Sequence, residues 1–168
     1  MTDNELMREL EFTADDLAVN RAGQLSETQI ERLRARRKRS IGIGIGIMLM
    51  LAFVASLCIF GGMQGSAVLL IIGVGLTLVS AVITGTFARY WMRLSADIRE
   101  KTVSAFSGQL ERVVKPVNQR VVTYLLRVGG AEFAVTKEQF KAFAHEAPYT
   151  LYRAKYTGTL QSAEVSEK

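Results

Sequence analysis

The sequence has few of the side chains on which enzyme active sites most often depend. Its 168 residues include a single cysteine, Cys58, and a single histidine, His145. One cysteine excludes an intramolecular disulfide, and one cysteine with one histidine does not make a tetrahedral metal site. A histidine at a helix end is more often a capping or surface residue than a catalyst. We therefore expect no catalytic residue, no metal site and no cofactor.

Charge is absent from a long central stretch. No charged side chain occurs between Ser40 and Ala88, and the glycine-rich residues 61–66 divide this stretch into two apolar runs. About twenty apolar residues in a helix cross the roughly 30 Å hydrocarbon core of a bilayer. The pattern predicts a transmembrane helical hairpin over 41–88, with helices at 41–61 and 67–88.

Lysine and arginine are missing from the loop between the two runs but crowd the outer ends. The cytoplasmic flanks of membrane helices carry an excess of these residues. The distribution predicts an integral membrane protein with both termini in the cytoplasm. The basic residues before the first run are Arg32, Arg34, Arg36, Arg37, Lys38 and Arg39, and those after the second run are Arg89, Arg93, Arg99 and Lys101.

The basic residues from 32 to 39, here named the basic cluster, have three interpretations. Their position beside the apolar run makes a determinant of membrane topology the simplest. Binding of anionic lipid headgroups is the second, since each basic residue near a membrane surface contributes about 1 kcal/mol. Binding of nucleic acid is the weakest, and we expect no nucleic-acid partner.

Glycines recur in the first apolar run. Gly42 and Gly46 share one face of a helix, and the second run offers Gly73 and Gly75 for close approach of the two backbones. We predict these four glycines as helix-packing residues, with packing inside the hairpin favoured over packing between copies. The glycines also resemble part of a nucleotide-binding motif, but Ile47 replaces its last glycine and the context is an apolar run, which excludes that function.

The N-terminal residues 1–40 predict a cytoplasmic helical segment. Thr13 followed by Asp16 is typical of a helix start, and Gly23 is typical of a helix stop. Ser26 and Gln29 have the spacing of a capping box that opens another helix.

After the second run the pattern changes. Residues 89–101 are charged and predict a juxtamembrane linker or a continuation of the helix, and residues 102–165 are rich in β-branched and apolar residues. We predict a membrane α+β protein whose C-terminal domain is barrel-like or a curved sheet, with about five strands and one short helix. The strands are expected at 102–114 with a bend at Gly108, at 121–128 and 132–135 around a turn at 129–130, and at 149–156 and 159–165, with the helix at 137–145.

The tyrosines of the C-terminal region have two interpretations. Tyr149, Tyr152 and Tyr156, with Arg153 and Lys155, have the composition of a surface for single-stranded nucleic acid. Strand alternation places Tyr152 and Tyr156 opposite the two basic residues, which favours packing of the tyrosines in the core. Three carboxylates have no partner at a spacing typical of catalysis and are expected to be solvated: Asp97, Glu100 and Glu111.

Three segments carry a family resemblance. They are NRAGQLSETQ at 20–29, EFAV at 132–135, and YTLY at 149–152 continuing to LQSAE at 160–164. Their order and spacing around a two-helix hairpin resemble those of uncharacterised bacterial two-helix membrane proteins with a β-rich cytoplasmic C-terminal domain. The resemblance implies the architecture and, with the two apolar runs, a bacterial inner membrane, without an activity or a catalytic residue.

These patterns favour a membrane anchor over an enzyme. We expect a hairpin in contact with membrane lipids that holds a small cytoplasmic β module, which binds a partner protein or another copy of the chain. The alternative is a subunit of a transport or channel assembly, with glycine-lined helices around a pore. A membrane enzyme is disfavoured because the apolar region offers only weak polar candidates, which are Gln64, Ser66, Thr77, Ser80 and Thr84.

Overall fold

The structure, a computed structural model, describes residues 3–118 and 121–166. The chain divides into two compact units. The hairpin unit is Arg32–Ala96, and the terminal unit combines Met1–Glu31 with Asp97–Lys168. Two chain segments that the whole hairpin separates in sequence therefore fold together.

Helices and strands are segregated along the chain, apart from one short helix among the strands. The helices are α1 Asp3–Glu9, α2 Ala14–Arg21, α3 Glu27–Met63, α4 Ala67–Glu100 and α5 Lys137–Lys141. The strands are β1 Val103–Gln109, β2 Glu111–Asn118, β3 Val121–Val128, β4 Ala131–Val135, β5 Pro148–Ala154 and β6 Leu160–Val165.

Helices α3 and α4 are each long and apolar enough to cross a membrane, by length and composition. Both exceed the expected spans of 41–61 and 67–88, because their charged ends continue the same helix. The segment 89–101 therefore belongs to α4 as far as Glu100, so the structure agrees with a continuation of the helix and not with a separate linker. The turn between the two helices is short, and Gly65 adopts a positive φ of 115° within it.

Side-chain caps fix the helix starts of the terminal unit. Thr13 Oγ1 accepts a hydrogen bond from Asp16 N, and the Asp16 carboxylate accepts one from Thr13 N. Ser26 and Gln29 make the same reciprocal arrangement at the start of α3. Each cap satisfies amide groups that the first turn of a helix leaves without partners. Both predicted helix starts are confirmed, as is the stop at Gly23, where φ is 79°.

The strands form two antiparallel sheets of three strands each, in the orders β1-β5-β6 and β2-β3-β4. The described strands number six rather than about five, and they close no barrel. The difference arises at Leu110, which divides the predicted strand 102–114 into β1 and β2. Leu110 N donates to Ala147 O at 3.0 Å and its carbonyl accepts from Glu146 N at 2.8 Å, so its backbone pairs with a loop. Burial of the Leu110 side chain holds the break in place.

The hairpin of β3 and β4 forms where the alternating pattern predicts it. Gly129 and Gly130 have φ values of 55° and 79°, the left-handed conformation that a two-residue hairpin turn requires. Gly129 also lies against β1, since a Cβ atom added there would be 3.0 Å from Ser107 O. The turn therefore needs glycine at this position for conformation and for space.

Helix α5 starts as predicted and ends early. Thr136 and Gln139 form a reciprocal capping box at its N-terminus. The helix ends at Lys141 rather than at residue 145, because Ala144 N donates to the Tyr149 hydroxyl at 3.2 Å instead of to a helix carbonyl. The bond ties the end of α5 to β5.

One hydrophobic core serves the terminal unit. Helix α1 contributes Leu6, and the turn after it contributes Leu10 and Phe12. These side chains pack in the same cluster as Leu126 and Phe133 from the sheet β2-β3-β4. Burying a large apolar side chain contributes roughly 1.5–3 kcal/mol. The N-terminal residues therefore supply a substantial part of the core that stabilises the strands.

Candidate functional site

The four predicted packing glycines differ in their surroundings. A Cβ atom added at Gly42, Gly46 or Gly75 would meet no described atom within 4 Å. At Gly73 it would lie 2.6 Å from Ile59 Cγ1 and 2.9 Å from Ile59 N. Gly73 is thus a close-packing position inside the hairpin, and the other three glycines are not.

Three further glycines, Gly44, Gly61 and Gly62, bring α3 and α4 close together. A Cβ atom added at Gly62 would lie 2.6 Å from Leu70 N, and one added at Gly44 would lie 2.7 Å from Trp91 Cζ2. Trp91 also donates from Nε1 to Ser40 Oγ at 2.8 Å. Gly44 belongs to the same alternating run as Gly42 and Gly46. The run therefore predicts a packing glycine in this helix, but it does not indicate which of the three faces α4.

The basic cluster lies on α3. Its members are exposed apart from Arg37, which is partly buried and donates to Ser95 Oγ at 3.3 Å. A helix turns by about 100° per residue, so consecutive members point in several directions. The positive charges are thus distributed around the helix and do not converge on one headgroup.

A buried polar group joins the N-terminal segment to β6. Asn20 and Gln29 exchange two side-chain hydrogen bonds, of 2.8 Å and 2.9 Å. Asn20 also donates to Gln24 O, and Ser162 donates to Asn20 Oδ1. We name Asn20, Gln29 and Ser162 the polar clasp. All three side chains are almost completely buried, so each depends on the others for its hydrogen bonds.

Two buried carboxylates support the same region. Asp16 accepts from the Ser26 hydroxyl as well as from its own cap. Asp97 accepts from Tyr156 N at 2.7 Å and from Thr157 N at 2.8 Å, and it is completely buried. Asp97 was expected to be solvated. It instead organises the turn between β5 and β6.

Backbone hydrogen bonds also join the N-terminal segment to the start of β1. Gln24 and Thr102 form an isolated antiparallel bridge. On either side of it, Leu25 N donates to Lys101 O at 2.8 Å and Val103 N donates to Gly23 O at 2.9 Å. Residues 23–25 thus pair with residues 101–103, directly before one hairpin helix and directly after the other.

A cavity of about 440 Å³ opens between the N-terminal helices and the sheet β1-β5-β6. Ligand sites typically have volumes of roughly 300–1,000 Å³. One wall is apolar, with Met7, Phe12 and Leu17. The remaining lining residues are Arg21, Thr150, Ala163, Glu164, Val165 and Ser166. None of them was predicted from the sequence as a functional residue, because α1, α2 and β6 are distant along the chain.

Two of the lining residues, Arg21 and Glu164, form an ion pair. Arg21 donates from Nε and Nη2 to a single oxygen of Glu164, and the Tyr152 hydroxyl donates to the other oxygen at 2.6 Å. Burial raises the pKa of Glu164, but the hydrogen bonds from Arg21 and Tyr152 outweigh it and hold the pKa below its ordinary value. Burial and the bond to Glu164 raise the pKa of Tyr152 to about 12. Glu164 is therefore an anion at neutral pH, and Tyr152 is neutral.

The three tyrosines of the C-terminal region differ in their surroundings. Tyr149 and Tyr152 are buried, which confirms core packing for both. Tyr156 lies in the turn after β5, and its hydroxyl donates to Glu100. The Arg153 guanidinium lies 4.3 Å from the centre of the Phe106 ring. Arg153 is thus engaged with a protein ring.

The single histidine lies in the terminal unit and the single cysteine lies in the hairpin unit. His145 Nδ1 accepts from Arg112 N at 3.2 Å, close to the end of α5. Cys58 lies partly exposed on α3. Among the described residues no group of three or more His, Cys, Asp or Glu side chains is placed to hold a metal ion. The arrangement with the clearest chemical capacity is the cavity, which offers apolar contact beside one ion pair.

Comparison with protein-family models, with curated proteins and with solved structures gave no match.

Proposed function

We propose that the chain is an integral membrane protein whose hairpin anchors the terminal unit at the cytoplasmic face of a bacterial inner membrane. The terminal unit is a binding module for a partner protein. Membrane lipids surround α3 and α4, and the basic cluster sets the orientation.

The pairing of residues 23–25 with residues 101–103 carries this proposal. The two segments flank the hairpin, so they meet only if both outer ends of the hairpin lie on the same side of the membrane. A single crossing would separate them by the hydrocarbon core, roughly 30 Å thick. Two crossings satisfy the pairing.

The exposed apolar surface of the helices supports a lipid environment. Only 11% and 6% of the residues in the most apolar parts of α3 and α4 are buried. Phe53, Phe60 and Ile71 are among the large apolar side chains that lie mostly exposed. Core helices of water-soluble proteins bury such side chains. In lipid the exposure costs nothing, and a helix satisfies its own backbone groups.

The pore alternative gains no support from the hydroxyl groups of α4. Thr77, Ser80 and Thr84 each donate to a carbonyl oxygen four residues earlier in the same helix, at 2.8–2.9 Å. Hydroxyls bonded in this way contribute little to a hydrated axis. A homo-oligomer would use the face of α3 that carries Gly42 and Gly46, where a second helix has room.

Cysteine accessibility tests the membrane arrangement. In a Cys58→Ser background, single cysteines replace Gln64 in the helix turn, and Thr28 and Lys137 in the terminal unit. A membrane-impermeant maleimide on intact cells is expected to label position 64 alone, and all three positions after permeabilisation. Labelling of position 28 or 137 in intact cells, or of position 64 only after permeabilisation, would contradict the proposed topology.

Crosslinking tests the binding role. The full chain is crosslinked through its lysines in native membranes, purified in detergent and analysed by mass spectrometry. Crosslinks from Lys137, Lys141 or Lys155 to one recurrent protein support a binding module. Crosslinks only to other copies of the chain favour self-assembly, and crosslinks to neither contradict the binding role.

A further inference from the structure

We propose that the cavity of the terminal unit binds an extended peptide segment of a partner protein, which adds as a strand to the free edge of β6. This inference rests on the proposed function, because it names the kind of partner that the binding module takes. Four observations carry it: the free edge, the position of the cavity, the helices that cover it and the charge at its rim.

The register of β5 and β6 shows which backbone groups of β6 remain free. Ser166 N donates to Pro148 O at 3.0 Å, which makes these two residues a hydrogen-bonded pair. Bonded and non-bonded pairs alternate along antiparallel strands. Glu164 therefore bonds with β5, whereas Ala163 and Val165 direct their N–H and C=O groups away from it.

The free edge of β6 does not include the carbonyl of Gln161. Gln161 lies where the register of β5 and β6 is interrupted, and its carbonyl is occupied by Gln29 Nε2, which donates to it at 3.4 Å. Among the described residues outside β5, none forms a hydrogen bond with the backbone of Ala163 or Val165. Ala163 is buried, and buried backbone groups are nearly always paired in native proteins. The edge at these two residues thus has unused capacity for two to four hydrogen bonds, about the number that strand addition makes along such a length.

The cavity lies at this edge. Ala163 and Val165 line it, and Met7, Phe12 and Leu17 form the wall opposite. Helices α1 and α2 pack against β6, so they leave a slot beside the strand instead of an open sheet edge. A slot of this kind admits a single extended segment. It excludes the edge of a whole second sheet, which disfavours pairing of β6 with β6 of another copy.

The charge at the rim indicates part of the peptide's chemistry. The Arg21 side chain is 60% exposed and uses two donors on one oxygen of Glu164. Among the described residues no second carboxylate takes its remaining donors. A carboxylate of the peptide fits beside Arg21. Because side chains alternate along a strand, apolar residues at every second position fit the opposite wall. A small apolar ligand would fill the same space but leave the strand edge unpaired.

The test uses the full chain in lipid nanodiscs and a displayed library of random decapeptides. Peptides are selected on the wild type and counter-selected on Val165→Pro. Proline at 165 removes only an outward N–H, and proline is tolerated on edge strands where that group is not part of the ladder. The matched control is Ser166→Pro, which removes an N–H of the ladder and leaves the outward edge intact.

We expect enriched peptides that carry an acidic residue and alternating apolar residues. Their Kd should rise at least about tenfold on Val165→Pro and by less than about threefold on Ser166→Pro, the first being the loss of roughly one hydrogen bond. Hydrogen exchange at the amides of Ala163 and Val165 should slow when the peptide is bound.

A backbone scan of the peptide with the wild-type chain removes any dependence on the folding of a variant. N-methylation should abolish binding at every second residue and be tolerated at the residues between. Failure to enrich any peptide, equal binding to both proline variants, or a methylation pattern without this period would overturn strand addition. The maleimide experiment separates this outcome from a failure of the proposed function, because it reports membrane topology whether or not a peptide binds.

Discussion

Asn20 and Gln29 face each other with both side-chain amides paired: Asn20 Nδ2 donates to Gln29 Oε1, and Gln29 Nε2 donates to Asn20 Oδ1. Asn20 lies near the end of α2, and Gln29 lies in the first turn of α3. Through Ser162 the pair also reaches β6. The start of a hairpin helix is thereby fixed to the last described strand.

Replacement of Asn20 by Leu should destabilise the terminal unit. It removes the partner of a buried amide and of a buried hydroxyl, and each group left unsatisfied costs about 1–3 kcal/mol. The free energy of unfolding is measured by urea titration in mild detergent, with circular dichroism as the signal. Gln24→Ala is the control, because that side chain is exposed and its carbonyl remains. Equal effects of the two substitutions would contradict a structural role for the polar clasp.

Asp97→Asn should loosen the turn between β5 and β6. The amide keeps one acceptor oxygen for the backbone of Tyr156 or Thr157 and loses the other, and hydrogen bonds to a charged group contribute about 1.5–3 kcal/mol. Hydrogen exchange at these two amides should accelerate. Arg99→Gln, on the exposed side of the same helix end, should leave both amides protected. Unchanged protection in Asp97→Asn would show that the carboxylate does not hold the turn.

Phe12→Ala tests whether the N-terminal segment belongs to the core of the strands. Phe12 is buried in the shared cluster, and truncating a core phenylalanine costs about 3–5 kcal/mol. Trypsin should then cleave the β-rich segment rapidly in nanodiscs. Phe53→Ala is the matched control, because Phe53 lies exposed on α3. If the strands of Phe12→Ala resist trypsin as the wild type does, they fold without the N-terminal helices.

Gly73→Ala and Gly46→Ala make a matched pair in the hairpin. A methyl group at 73 meets the side chain and backbone of Ile59, whereas one at 46 meets open space. Overpacking of this kind costs about 1–3 kcal/mol. Gly73→Ala should therefore lower the midpoint of thermal unfolding in detergent, and Gly46→Ala should leave the monomer unaffected. A loss confined to Gly46→Ala would place the packing face on that side of α3, between copies of the chain.

Alkaline pH tests the environment of Tyr152. Its pKa is about 12 in the folded chain, compared with an ordinary value of 10.0. A raised pKa means that the folded state holds the proton more tightly, so the stabilisation is complete below pH 10 and is lost as pH rises towards 12. The difference in unfolding free energy between the wild type and Tyr152→Phe should shift over this interval in favour of the variant. A difference independent of pH would contradict the bond to Glu164.

The parts of the fold that were predictable from the sequence are those with local causes. Thr13, Ser26 and Thr136 each cap a helix with a residue three positions later, and Gly129 with Gly130 forms a turn within one hairpin. The two apolar runs likewise show their helices by composition alone. Such features depend on contacts within a few residues, which a pattern in the sequence records directly.

The parts that were missed depend on contacts between distant segments. In the sequence Asp97 resembles a surface carboxylate, because its hydrogen-bond donor at Tyr156 lies far along the chain. No pattern near Leu110 predicts that its backbone pairs with residues 146–147. The cavity is another example, since Leu17 and Val165 meet only in the folded unit. These residues belong to no sequence motif, because their role depends only on where the fold places them.

The terminal unit combines two segments that the hairpin separates in sequence. Its N-terminal part is therefore synthesised well before the strands that it packs against. The ribosome releases residues 3–31 before the hairpin and the strands after it, so Leu6 and Phe12 must wait for core partners such as Leu126. At usual rates of synthesis of about 5–20 residues per second, the wait lasts roughly ten seconds. Over that interval the N-terminal apolar side chains are free for chaperones and proteases. A chain that is cut short before β3 leaves these side chains uncovered, so closure of the unit distinguishes completed molecules from truncated ones.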